Sequence, residues 1–238
     1  MLNLDPLGWI DGITASGVVI FGMVFGLFFI YKARKTNAKI LIYLGLANLF
    51  AGLMYFGVFL DFLFVLVTTI NMEYPVTYGI VGILSYIWLA PAIITAIYIG
   101  AELLIPKAKW YFVISFIILS IIFEILIFID PFSAFKFEDP PSPGQLLINY
   151  SVQTFSIAGI LMAIFLLTII VLLGIGFIVK SFQSSGILRT KFFLLSLGSI
   201  FFCVFGLIEG LFEPDIWVIF VRIGYLSSFW LMYYGLKT

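Results

Sequence analysis

The chain has 238 residues, 63% of them hydrophobic and only 10% charged, with a mean hydropathy of +1.23 and zero net charge. Soluble domains are about half apolar and about a quarter charged, so the composition excludes a soluble fold, and the balanced charge excludes the basic excess of a nucleic-acid binder. With no histidine in the chain, imidazole ligation of haem or zinc and imidazole general-base catalysis are excluded as well.

Successive apolar runs predict seven membrane-spanning helices at about 9–32, 39–66, 78–102, 109–130, 147–180, 190–212 and 215–236. The expected fold is therefore an all-α bundle forming one transmembrane domain over residues 1–238. Met1 to Gly8 carry Asp5 and no basic residue, so the first run lacks the positive leader of a cleaved signal peptide and is expected to be retained. Within it, Gly22 and Gly26 stand four apart, the spacing that lets two helix backbones approach closely. Lys32, Arg34, Lys35 and Lys39 fill the first connection, and Asp61 lies late in the second run.

The third run places Ser85, Trp88, Pro91, Thr95, Tyr98 and Glu102 on one helical face. A polar stripe avoids lipid, so these side chains are expected to face the bundle interior, as an ordinary interior face or as the lining of a ligand cavity. Pro91 leaves a carbonyl without its helical partner and predicts a kink or local opening near mid-membrane. The fourth run contains Glu124. The over-long fifth run begins with the polar residues Asn149, Ser151, Gln153 and Thr154, expected in the outer headgroup region. The sixth carries a stripe of small residues (Ser196, Ser199, Cys203, Gly206 and Gly210) that predicts helix packing. Its lone Cys203 has no second cysteine for an internal disulfide and reads as a core residue.

Orientation follows from charge, because short cytoplasmic loops retain Lys and Arg. Lys32, Arg34, Lys35, Lys39, Lys107, Lys109, Lys180, Arg189, Lys191 and Lys237, ten of the twelve basic residues, fall in alternate connections and at the C-terminus. The intervening segments are acidic: Asp5 and Asp11, then Glu73, then Asp130, Glu138 and Asp139, then Glu213 and Asp215. This alternation predicts an N-terminus outside and a C-terminus in the cytoplasm of a multi-pass cell-membrane protein. Leu44-Gly45 through Gly57 also aligns without gaps to Leu197-Gly198 through Gly210, which suggests an internal duplication of the form three, one, three spans, as in duplicated transporters.

Ionisable groups within hydrocarbon cost about 2.5–3.5 kcal/mol each even on the lenient insertion scale, so they need partners. Arg222, Glu209 and Glu124 count to similar outer-leaflet depths, and Asp61 joins them if the second helix continues through Phe62 to Ile70. Three uses fit such a cluster: a structural ion pair, with Glu209 the nearest partner of Arg222, an outward-facing site for a polar headgroup or small anion, and a proton path.

Rhodopsins, G-protein-coupled receptors and PQ-loop transporters share the seven-span layout, but their residues are missing. The seventh run has no retinal Schiff-base lysine, since Arg222 is its only basic residue. The third run ends Tyr98-Ile99-Gly100-Ala101-Glu102 without an acidic-Arg-Tyr triplet, and the chain has no Pro-Gln dipeptide. No phosphate loop, nucleophile elbow or metal-ligand cluster occurs, so neither an enzyme nor a bound cofactor is expected. The sequence is read as a receptor- or sensor-like protein that binds a lipidic or small amphiphilic ligand between its helices. Its expected partners are membrane lipids and either a cytoplasmic effector chain or a second copy. The alternative is a small-solute or lipid transporter of two parallel three-helix halves.

Overall fold

The computed structural model describes residues 3–211 and 217–237 and is 79% helical. In hydrocarbon every backbone amide must find a partner within the protein, and helices do this segment by segment. Five helical stretches are long and apolar enough to cross a membrane: α1 (Pro6–Thr36), α4 with α5 (Ile80–Tyr86 and Leu89–Leu104), α6 (Lys109–Ile129), the run of α8, a π-helical turn and α9 (Ile157–Ile169, Ile170–Ile175 and Gly176–Gln183), and α10 (Gly186–Leu211). The pair α2 (Lys39–Leu53) and α3 (Phe56–Thr68), bent by 45°, makes a sixth. The chain is thus a multi-pass helical membrane protein. A further helix, α11 (Trp217–Lys237), has the length but is less apolar, carrying Arg222, Ser227 and Ser228.

The helices close into a ring in the order α1, α2, α5, α8 with the π turn, α10 and α11, which returns to α1; α6 stands outside against α5 and α8. Glycine sets the closest approach. An added Cβ at Gly22 would lie 2.5 Å from Gly52 Cα, and one at Gly26 2.7 Å from the Gly45 carbonyl oxygen, so α1 and α2 meet backbone to backbone. Gly100 of α5 sits equally tightly on Leu172 in the π turn, and Ser196 of α10 donates to the Gly174 carbonyl of the same turn at 2.8 Å.

The second span is not the continuous helix expected. It breaks at Met54–Tyr55, and the freed Gly57 N–H donates to Ser85 Oγ at 3.0 Å. The third span opens at Ile87–Trp88, one turn before Pro91. Proline has no N–H for the Ile87 carbonyl and its ring crowds that carbonyl, so this is the local opening Pro91 predicts. The fifth span starts at Ile157, because residues assigned to its beginning form a strand instead. β1 (Phe135–Glu138) pairs antiparallel with β2 (Asn149–Val152), a two-stranded sheet that the all-helical expectation lacked. Glu213 and Asp215, read as outer acids beside the seventh span, lie outside the described residues.

Buried acids tie this hairpin and its neighbouring loops into a cap at one end of the ring. Asp61 is fully buried; its Oδ1 accepts from Met72 N–H at 2.7 Å, and its Oδ2 from Ile148 N–H at 2.9 Å and the Asn71 amide at 3.0 Å. Asn71 in turn accepts from Gly144 N–H and donates to the Leu146 carbonyl. Glu73 accepts from the N–H groups of Tyr78 and Ile80 at the start of α4. At the opposite end Lys32 donates to the Leu236 carbonyl, and Lys109 pairs with Glu102 at 2.7 Å.

Candidate functional site: a capped cavity around Arg222

Beneath the cap the ring encloses a cavity of about 370 Å³, within the size range of small-molecule sites. Its walls are mainly apolar, including Val58, Leu89, Met162, Leu166, Val218 and Val221, and β2 closes its roof through Ile148 to Val152. Arg222, only 4% exposed, is its charged centre. Arg222 Nη2 meets Asp11 Oδ1 at 3.1 Å, and Nε stands 3.7 Å from Glu209 Oε1, an ion pair beyond hydrogen-bond reach. The guanidinium carbon lies 3.9 Å from the centre of the Tyr55 ring, a cation–π stack. Glu209 Oε2 accepts from both tyrosine hydroxyls, Tyr55 and, at 2.8 Å, Tyr225. Nη1 and Nε of Arg222 remain buried with no hydrogen-bond partner, which is unusual for a group this costly to desolvate.

Helix positions explain the constellation. Asp11 lies just over a turn into α1, whose buried face continues through Ala15, Val18 and Val19. Tyr55 occupies the break between α2 and α3, which turns its ring toward the ring axis, while Glu209 and Tyr225 come from adjacent α10 and α11. Four elements thus converge on one guanidinium. Among the described residues no group of three or more metal-ligating acidic or cysteine side chains converges.

Two of the four residues read as the charged cluster, Arg222 and Glu209, come together. Asp61 does not join them: its carboxylate is taken up by the amides of the cap. Nor does Glu124, which lies on α6 outside the ring with both carboxylate oxygens buried and unpartnered. The third-span stripe also lies apart, for none of Ser85, Trp88, Pro91, Thr95 or Tyr98 lines the cavity. Ser85 bridges Gly57 and the Tyr150 hydroxyl, Trp88 stacks on Phe50, Thr95 bonds back to the Pro91 carbonyl, and Tyr98 packs on Tyr43 and beneath Lys109. These contacts make the stripe an interior packing face.

Asp11, Tyr55 and Tyr225 were missed. Asp11 was counted with the outer acids although it falls inside the predicted first span, and that position was the available signal. Compared with known proteins, the chain matches no protein-family model and no curated protein sequence.

Proposed function

We propose that the protein is a seven-span receptor or sensor of the cell membrane, N-terminus outside, that binds a lipidic or small amphiphilic ligand in the capped cavity. Its occupancy would be passed to a separate cytoplasmic chain or a second copy. The observation carrying this reading is a buried guanidinium with unpartnered donors in the wall of a largely apolar cavity, because a buried donor without an acceptor costs about 1–3 kcal/mol and a ligand reached by a small turn of Arg222 supplies one. Catalysis has no place in it: Glu209 is occupied by two tyrosines and Arg222, and Asp11 by Arg222.

A seventh crossing is supported by how α11 runs against α1. Arg222 meets Asp11, Leu226 reaches Gly17, Tyr233 stacks on Phe25, and the Leu236 carbonyl accepts from Lys32. The two helices run parallel over the full depth of the ring, as the first and last of an odd number of spans do. The outward N-terminus rests on the basic residues of alternate connections.

The ring order with α6 outside suits the transporter alternative of two three-helix halves, but the glycines that suggested a repeat pack differently. Gly45 packs on α1, whereas its aligned counterpart Gly198 packs on Ser228 and Met232 of α11, and these neighbours are not equivalent in a three-one-three duplication.

Lipid-resolved mass spectrometry of the purified protein tests the reading, with Gly206→Leu as the control. A Cβ at Gly206 meets only Tyr225 Oη at 3.4 Å and Leu166 at 3.6 Å, so a leucine there projects into the cavity. The wild type should retain an amphiphile that the folded variant lacks. Equal amphiphile content in both would exclude the cavity as the binding site.

A further inference from the structure

We propose that the ligand is a neutral single-chain lipid drawn from the outer leaflet, its head oxygen accepting from Arg222 Nη1 and its chain descending along the ring axis. This deepens the binding function proposed above and rests on it.

The head chemistry follows from which polar atoms are left over. Around Arg222 the buried unpartnered atoms are both donors, Nε and Nη1, so the head must bring an acceptor; the unpartnered acceptor, Asn48 Oδ1, belongs to the residue lining the deeper pocket. Two carboxylates, Asp11 and Glu209, flank a single guanidinium, so an anionic head would meet like charge at close range, an arrangement that costs several kcal/mol. A cationic head carries no acceptor and would face the guanidinium itself. An ester or hydroxyl oxygen satisfies the donor without either conflict.

The tail follows from what lies below. A second, smaller pocket of about 60 Å³ sits deeper on the ring axis, lined by α2, α5, α8, α10 and α11, with Ala92, Ile93, Ala96 and Leu173 in its wall. Met54, Leu89, Leu166 and Phe202 line both spaces, so they form the partition between them. Methionine is the most adaptable of core side chains, and a modest shift of Met54 joins the two into one channel for a chain.

The route of entry follows from exposure. Among the described lining residues only Trp217 and Phe220 are exposed, at 58% and 60%, and both are apolar aromatics of α11. The roof is held in place through Ile148 by Asp61. The open edge of the cavity therefore meets acyl chains rather than water.

The test uses three probes of one eighteen-carbon, singly unsaturated chain on the purified full chain: monooleoylglycerol (neutral), oleoyl-lysophosphatidylglycerol (anionic) and oleyltrimethylammonium (cationic, with no acceptor), each titrated by thermal stabilisation. The neutral probe should bind, the anionic one about 100-fold more weakly, and the cationic one not measurably. Arg222→Met should weaken the neutral probe about 10- to 100-fold, the value of one hydrogen bond to a charged group. Ala96→Leu, which fills the deeper pocket away from Arg222, should shift the preference toward shorter chains and keeps the test alive if Arg222→Met does not fold. Anionic or cationic binding as tight as neutral, or an unchanged chain-length preference in Ala96→Leu, overturns this inference while leaving an amphiphile site standing. No binding of any probe, together with no co-purifying amphiphile, overturns both.

Discussion

Replacing Arg222 by methionine keeps an apolar contact with the Tyr55 ring but strands the carboxylates of Asp11 and Glu209. Removing one partner of a fully buried ion pair costs about 3–5 kcal/mol. The Asp11 and Glu209 side chains are 26% and 34% exposed, and Glu209 keeps its two tyrosine donors, so a loss of about 2–3 kcal/mol, below that range, is expected. At roughly 2–4 °C per kcal/mol for a chain of this size, the apparent Tm in detergent should fall by about 5–10 °C. The second mutation decides which carboxylate matters. Arg222→Met with Asp11→Asn should recover most of the loss, because Asp11 makes the 3.1 Å contact and loses its only charged partner. Arg222→Met with Glu209→Gln should recover less, because the Glu209 contact is 3.7 Å. An unchanged Tm in Arg222→Met, or no rescue by Asp11→Asn, would refute a buried ion pair at this position.

Three further outcomes follow from other parts of the molecule. A tag after Thr238 should be accessible only from the cytoplasm and one before Leu2 only from outside; both on one side would require an even number of spans. Gly22→Val should cost about 3 kcal/mol or more through overpacking against Gly52 and sharply reduce folded yield, whereas Gly17→Ala, with Leu226 3.9 Å away, should be silent; equal yields would refute the close α1–α2 approach. Asp61→Asn sets an amide donor against the amides of the cap, and should speed hydrogen exchange at Met72 and Ile148 by about 10-fold or more; unchanged protection there would show that Asp61 does not fasten the cap.

Sequence carried the helical, multi-pass class and most of the spans because bilayer thickness acts along the chain, one segment at a time. Gly22 and Gly26 marked a real backbone contact, and Pro91 a real helix opening. One depth match was legible too: counting residues from span ends put Arg222 and Glu209 at one level, and they pair. Azimuth was not legible, because which face of a helix meets the axis depends on neighbours distant in sequence. Glu124 accordingly ended on the outer helix, and Asp11, a true partner, was counted only with the outer acids. The break at Met54–Tyr55 was hidden by an unbroken apolar run, and it is compensated by Ser85, a residue of another helix. The hairpin was hidden for the opposite reason: its strands are four residues each, too short for alternation to stand out from their surroundings. Asp61 was expected in the Arg222 cluster and is instead the anchor of the cap.

The most direct test of a ligand cavity built around Arg222 is an experimental structure of the protein in lipid nanodiscs prepared from its native membrane. The expected result is elongated density below β2, with one end within hydrogen-bond distance of Arg222 Nη1 and the other running past Met54 and Phe202. A cavity closed by inward movement of Phe205 and Tyr225, or filled by a water chain that satisfies Arg222, would contradict it.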